Sequence, residues 1–221
     1  MDKLALASYI DHTLLKPTAT SEDIKRLCQE GNKYHFASIC VNGSNVALAV
    51  AHSQIPVAAV VGFPLGAMST KAKVAETEQV IADGASEIDM VINLGWAKAG
   101  AWEQVEEEIR QVVVAANGHL VKVIIETCYL TDPEKESACL AAKRAGAHFV
   151  KTSTGFGGGG ATVADVELMR RTVGTDLGVK ASGGVRDLST AMALIRAGAT
   201  RLGASAGVQI MAELEDSRGN Q

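Results

Sequence analysis

Three short stretches of the chain are near copies of one another: Asp83-Gly84-Ala85, Ala145-Gly146-Ala147 and Ala197-Gly198-Ala199. Each follows a run whose apolar residues recur at helical spacing, and each precedes an apolar, largely β-branched run. The glycine therefore reads as a helix stop that hands the chain to a strand. The same alternation extends over the whole chain. Strands are expected at 9–15, 37–41, 57–61, 87–92, 121–126, 148–152, 178–182 and 200–204. Between them come helices starting at Thr20 or Ser21 and stopping at Gly31, then at 45–54, 70–82 and 102–116. Further helices start at Asp132, span 162–173, run through Leu188 to Gly198, and close the series at 207–214. Strict alternation demands parallel strands joined by right-handed crossovers. Eight units in 221 residues favour a closed (β/α)8 TIM barrel over an open doubly wound sheet. An open dinucleotide-binding sheet would also want a glycine-rich turn after its first strand, where this chain has Lys16-Pro17-Thr18.

No linker or shift in composition divides the chain. The expectation is one α/β domain at 1–214, opened by a short amphipathic helix at 3–8 and trailed by a polar tail at 215–221. With 47% hydrophobic residues the chain can build one substantial core. A net charge of -4 without a Lys/Arg block, and only 4% aromatics, argue against a nucleic-acid surface. Cys28, Cys40, Cys128 and Cys139 have neither CxxC nor zinc-site spacing, so they read as reduced packing residues. Met1-Asp2-Lys3-Leu4-Ala5 carries no leader-like apolar core, and no apolar run approaches the ~20 residues of a membrane span. A soluble, cytoplasmic protein without a membrane partner is expected.

In a parallel barrel the chemistry gathers at the C-terminal ends of the strands. Alternation along each strand selects the inward side chains. They include Asp89 on the fourth strand, Lys122 and Glu126 on the fifth, Lys151 on the sixth and Lys180 on the seventh, with Asp11 or His12 on the first. Two inward lysines on neighbouring strands, ~4.8 Å apart, are the informative pair. Two ammonium groups ~4 Å apart repel by ~4 kcal/mol at an effective dielectric of ~20, which drives one toward the neutral amine. A neutral lysine attacks a carbonyl to give a Schiff base, and Asp89 could balance charge and move protons. The plain alternative is an ion cluster that only fills the barrel. Glu126 is expected to partner Lys122 or Lys151.

A second signal lies in the loops. Gly183-Gly184 follows the seventh strand, Gly203-Ala204-Ser205-Ala206-Gly207 the eighth, and Thr154-Gly155 belong to the hydroxyl-rich turn after the sixth. Such loops bind phosphate through backbone N–H groups and a helix N-terminus; the plain alternative is that the glycines only allow tight turns. His12, His35, His52, His119 and His148 are scattered and form no metal-binding pattern. Trp96 and Trp102 read as packing residues, and Glu106-Glu107-Glu108 as a solvated helix face.

Seven motifs run in order from the first strand to the last. They are Ile10-Asp11-His12-Thr13-Leu14-Leu15, Gly62-Phe63-Pro64-Leu65-Gly66, Glu87-Ile88-Asp89-Met90-Val91, Val123-Ile124-Ile125-Glu126-Thr127, Phe149-Val150-Lys151-Thr152-Ser153-Thr154-Gly155-Phe156, Val179-Lys180-Ala181-Ser182-Gly183-Gly184-Val185-Arg186 and Arg201-Leu202-Gly203-Ala204-Ser205. With these the chain resembles the DeoC family of class I aldolases, the deoxyribose-phosphate aldolases, over nearly its whole length. The resemblance implies a (β/α)8 barrel that reversibly cleaves 2-deoxy-D-ribose 5-phosphate to D-glyceraldehyde 3-phosphate and acetaldehyde in deoxynucleoside catabolism. It implies Lys151 as the Schiff-base lysine, Lys180 as the group that lowers its pKa, and Asp89 with a water as proton donor and acceptor. Gly183, Gly184, Gly203 and Ser205 would hold the phosphate with help from Thr154 and Gly155, and Asp11 joins the substrate-binding set. Neither metal nor cofactor is implied, and the usual assembly is a homodimer.

Two positions depart from the pattern. Phe156 stands where some members carry a lysine after Thr-Ser-Thr-Gly. The last residues, Glu213 to Gln221, lack the tyrosine with which some members end, leaving proton exchange to Asp89, Lys180 and water. Two other readings share these features: a different Schiff-base sugar-phosphate aldolase, and a sugar-phosphate-binding barrel without catalysis.

Overall fold

A computed structural model of the chain describes residues 2–219. Among the described residues eight parallel strands close into a barrel in chain order. They are β1 (Ile10–Leu14), β2 (Ser38–Val41), β3 (Val57–Val61), β4 (Glu87–Val91), β5 (Leu120–Ile124), β6 (Phe149–Lys151), β7 (Gly178–Ser182) and β8 (Arg201–Ala204). The helices are α1 (Lys3–Ala7), α2 (Ser21–Tyr34), α3 (Val46–His52), α4 (Thr70–Ala82), α5 (Leu94–Lys98), α6 (Trp102–Ala115), α7 (Asp132–Arg144), α8 (Val163–Val173), α9 (Leu188–Arg196) and α10 (Gly207–Gly219). The eight-unit barrel read from the alternation is the fold of the protein.

Helix starts follow from side-chain oxygens that satisfy otherwise orphaned N–H groups. Thr20 and Asp23 form a capping box at α2, as do Thr131 and Glu134 at α7, where Pro133 sits in the first turn. Ser69, Thr162 and Asp187 cap α4, α8 and α9.

Three details differ from the sequence reading. Gly31 does not end α2; the helix runs on to Tyr34, and His35 takes the left-handed cap at φ 54°. Gly31 serves close packing instead, because a Cβ there would lie 2.8 Å from Ile39 Cγ2. The stretch after β4 folds into the extra helix α5, capped by Asn93, and Trp96 within it packs on the core. The tail assigned to 215–221 is helical through Gly219 as part of α10, whose beginning packs on α9 and α1; its last two positions, 220 and 221, lie outside the described residues.

Outward strand residues such as Val61, Met90, Val123, Val150 and Leu202 meet the helix faces in one continuous apolar shell. Inside the barrel a small separate cluster of Leu15, Cys40, Ala58 and Val60 fills the β2–β3 side. The rest of the interior is charged, and that is where the site lies.

Candidate active site

The register places Lys151 beside Lys180 and Asp89 beside Lys122 as direct neighbours on adjacent strands. Asp89 is the hub. Its Oδ2 accepts from Lys151 Nζ at 2.8 Å and from Lys180 Nζ at 2.7 Å, and its Oδ1 from Lys122 Nζ at 2.7 Å. Lys180 also donates to Asp11 Oδ2 at 2.5 Å, and Lys122 meets Glu87 Oε2 at 2.6 Å. Asp11 Oδ1 accepts from Ser38 Oγ at 2.7 Å and from Arg201 at 2.6 Å. Asp11, Asp89, Lys122 and Lys180 are fully buried, and Lys151 is 3% exposed.

Burial and charge separate the two lysines. Burial lowers the Lys151 pKa; Asp89 opposes this and Lys180 reinforces it, with the net result below the ordinary lysine value. Burial also works against the Lys180 ammonium, but Asp11 and Asp89 outweigh it and hold that pKa above the ordinary value. Asp89 is driven well below the usual carboxylate range because Lys122, Lys151 and Lys180 overcome the cost of its burial. Repulsion between the lysines is thus the smaller cause of the Lys151 shift, behind desolvation, which the strand spacing alone did not reveal.

Above this cluster, at the C-terminal ends of the strands, lies a cavity of about 240 Å³. Lys151, Thr154, Gly155, Gly183, Gly184, Gly203 and Ser205 all line it, so the nucleophile candidate and the expected phosphate wall share one space. Gly155, Gly183 and Gly184 have φ of 85°, 84° and 79°, a conformation that strains any residue with a Cβ. A Cβ at Gly160 would come within 2.3 Å of the Gly183 carbonyl oxygen, so the two loops touch backbone to backbone. Ser205 is exposed just ahead of α10, and Lys16 and Arg186 bring cations to the rim. A larger depression of about 490 Å³ outside the barrel, along α2, shares Lys16 and Ser205 but not Lys151.

Two expected placements are corrected. Asp11 does not line the cavity: it is sealed beneath Lys180, and its oxygens are taken by Lys180, Ser38 and Arg201. Glu126 does not pair with Lys122 or Lys151. The strand stops at Ile124 and Glu126 turns into the left-handed region at φ 54°, so alternation no longer applies. Its carboxylate instead accepts from Thr154 N at 3.1 Å and from Thr154 Oγ1, fixing the turn after β6.

Among known proteins, the model of the DeoC/LacD family aldolases matches residues 5–213. The chain belongs to that family. The deoxyribose-phosphate aldolase of Alkaliphilus oremlandii is 59% identical over 216 residues, covering 96% of this chain and 97% of the relative. That of Streptococcus gordonii is 56% identical over 94% of this chain and 96% of its own. Among solved structures, the tetrameric deoxyribose phosphate aldolase of Aeropyrum pernix superposes with a TM-score of 0.91 at 33% identity, covering 98% of this chain and 93% of that one.

Within this family member, sequence reasoning left the lower half of the charged cluster unassigned. Glu87 and Arg201 are not singled out by it, and Glu126 is offered as a partner of Lys122 or Lys151, where the structure gives Lys122 Glu87 and Asp89. The signal was present: Glu87 is two residues before Asp89, and Arg201 two before Gly203, so each shares the inward face of its strand.

Proposed function

We propose that the protein reversibly cleaves 2-deoxy-D-ribose 5-phosphate into D-glyceraldehyde 3-phosphate and acetaldehyde through a Schiff base on Lys151. The observation that carries this reading is Lys151 itself. Its Nζ is buried and held toward the neutral amine, and its side chain is the lysine of the inner cluster that opens on the cavity.

The neutral amine adds to the C1 aldehyde of the open-chain sugar and loses water to give a protonated imine. That cation accepts the electron pair of the C2–C3 bond as the C3 hydroxyl gives up its proton, and the three-carbon phosphate leaves as an aldehyde. The enamine left on Lys151 takes a proton at C2, and water then releases acetaldehyde. Conversion of Lys151 to an imine weakens its hold on Asp89 Oδ2, leaving an Asp89–Lys180 pair beside the reacting carbons. With a water, that pair is suited to carry the protons. Gly183, Gly184, Gly203 and Ser205, with Thr154 and Gly155, would receive the phosphate. No redox or Lewis-acid step is required, because the imine is the electron sink. A homodimer in the cytoplasm completes the proposal. The scattered cysteines motivate the compartment, and light scattering on the purified chain tests the assembly.

The test combines turnover with trapping. Cleavage of 2-deoxyribose 5-phosphate should persist in EDTA, and acetaldehyde with borohydride should leave an ethyl group on the peptide containing Lys151. A label on Lys180 would reverse the two roles. Cleavage without any label would remove the Schiff-base mechanism, and EDTA inhibition reversed by a divalent ion would do the same. Turnover of pyruvate or dihydroxyacetone phosphate in place of acetaldehyde would point to a different aldolase.

A further inference from the structure

The charged cluster continues well below the groups that face the cavity. Arg201 and Glu87 are the first residues of β8 and β4, at the end of the barrel away from the cavity, and neither lines it. Arg201 lies 2.6 Å from Asp11 Oδ1 and 3.4 Å from Glu87 Oε2, and its guanidinium stands over the Phe149 ring. An unbroken chain of contacts thus runs from Arg201 through Asp11 to Lys180, and through Glu87 to Lys122. Both branches end on Asp89, which holds Lys151.

Counting charges along this chain is informative. Three carboxylates, Asp11, Glu87 and Asp89, face four bases, Lys122, Lys151, Lys180 and Arg201. The set is neutral only when one base is uncharged, and a buried cluster strongly favours neutrality. The contacts select which one. Lys122 lies within 3.7 Å of all three carboxylates, while Lys180 and Arg201 each touch two. Lys151 touches one, and shares that oxygen with Lys180. The remaining inward groups do not change the tally. Cys40 on β2 is held as an uncharged thiol by burial, Ser38 is neutral, and β3 contributes Ala58 and Val60. His12 faces outward to Glu30, Glu126 is bound to Thr154, and Lys16 and Arg186 are at the exposed rim.

We propose that Arg201 and Glu87 are positioning residues that set the charge state of Lys151 from the opposite end of the barrel. Arg201 makes Lys151 the surplus cation, and Glu87 limits how far that surplus extends. This rests on the reading of Lys151 as the Schiff-base lysine. Without Arg201, three carboxylates face three lysines, and Lys151 becomes the third cation they need. Without Glu87, two carboxylates face four bases, and Lys151 gives up its proton more readily.

The experiment follows imine formation with acetaldehyde, quenched by borohydride and read as the mass increase at Lys151 from pH 5 to 9. Acetaldehyde carries no phosphate, so ionisation of a substrate phosphate does not enter. In the parent protein the trapping rate rises with pH as the amine loses its proton. Arg201→Gln should move that rise up by about one pH unit, a loss of about tenfold at pH 7, with the rate recovering at high pH. Glu87→Gln should move it down. The double variant should restore the parent profile, because two carboxylates then face three bases and one amine is again surplus. Arg201→Lys, which keeps the cation, should stay close to the parent.

An Arg201→Gln profile lowered equally at every pH, or a double variant no closer to the parent than the single, would overturn the inference. If Arg201→Gln does not fold, Glu87→Gln carries the test alone, and an unmoved rise then overturns it. Failure of the parent itself to take the label at Lys151 would instead strike the Schiff-base reading.

Discussion

Lys151 and Lys180 are the same residue type one strand apart, yet the protein shifts their pKa values in opposite directions. The difference lies in their partners: Lys180 has Asp11 and Asp89, whereas Lys151 has only a shared oxygen of Asp89. Alternation along the strands was enough to find both lysines and Asp89, because a period of two carries no long-range information and needs none. It could not assign partners. The expectation for Asp11 rested on its inward position alone, because nothing in the sequence says how deep along the barrel axis an inward residue lies. Glu126 was misassigned because one left-handed residue ends the alternation. The proposed phosphate wall is a residue-scale matter too. Ser205 is exposed at the cavity, two residues before α10, so a carboxylate there would meet a phosphate bound in this cavity as a like charge. Ser205→Asp should raise KM for 2-deoxyribose 5-phosphate by about tenfold or more, and leave unphosphorylated 2-deoxyribose little changed. Equal losses on both substrates would leave Ser205 a purely structural role.

Between residue and barrel stand the loops, and two of them are held by charged helix side chains outside the barrel, one of them by a buried ion pair. Lys73 on α4 and Glu108 on α6 are both fully buried and 2.9 Å apart. Lys73 Nζ also donates to Val91 O at 2.7 Å, and Glu108 Oε2 accepts from Asn93 N at 2.9 Å. On α4, Glu76 accepts from Gly62 N at 2.8 Å. The chain leaving β3 and the chain leaving β4 are therefore tied to helix side chains within a few residues of Asp89. Removing one partner of a buried pair leaves an uncompensated charge, which costs about 3–5 kcal/mol. Lys73→Met should lower the urea-unfolding free energy by about that amount, and adding Glu108→Leu should recover much of it. A Lys73→Met protein of unchanged stability would show the pair to be energetically idle. Little of this was legible. The lengths of α4 and α6 followed from their periodicity and glycine stops, but Lys73 and Glu108 look like solvated positions, and Glu108 was assigned to such a face. Burial of a charge is decided by what a neighbouring helix brings, which no local pattern records. The same holds for Gly31, whose local role as a stop yields to the approach of Ile39.

At the scale of the molecule, closure into a barrel leaves the sheet without an edge and collects the inward charges along one axis. Closure was legible because eight alternating units in one undivided domain have few other ways to bury both faces of a parallel sheet. The collected charges make stability depend on pH in a definite direction. Asp11 and Asp89 are held below the usual carboxylate range in the folded protein, against about 3.9 for an unfolded aspartate. Their contribution is therefore fully present above about pH 4, and is lost as pH falls from there toward their folded values, because the unfolded chain takes up protons first. Glu108 has the opposite sign: burial raises its pKa, so the folded state binds a proton more readily, and stability gains slightly on mild acidification. Lys151 works against this gain, because its lowered pKa makes the folded state take up a proton less readily than the unfolded chain; the urea midpoint should therefore change little from pH 7 to pH 5.5, then fall steeply from pH 4 to pH 3. Asp11→Asn should lower the midpoint at pH 7, where it leaves Lys180 and Arg201 short of a counter-charge, and should make the fall below pH 4 shallower. A midpoint that drops as much between pH 7 and 5.5 as between pH 4 and 3 would mean that groups other than the buried carboxylates govern acid unfolding.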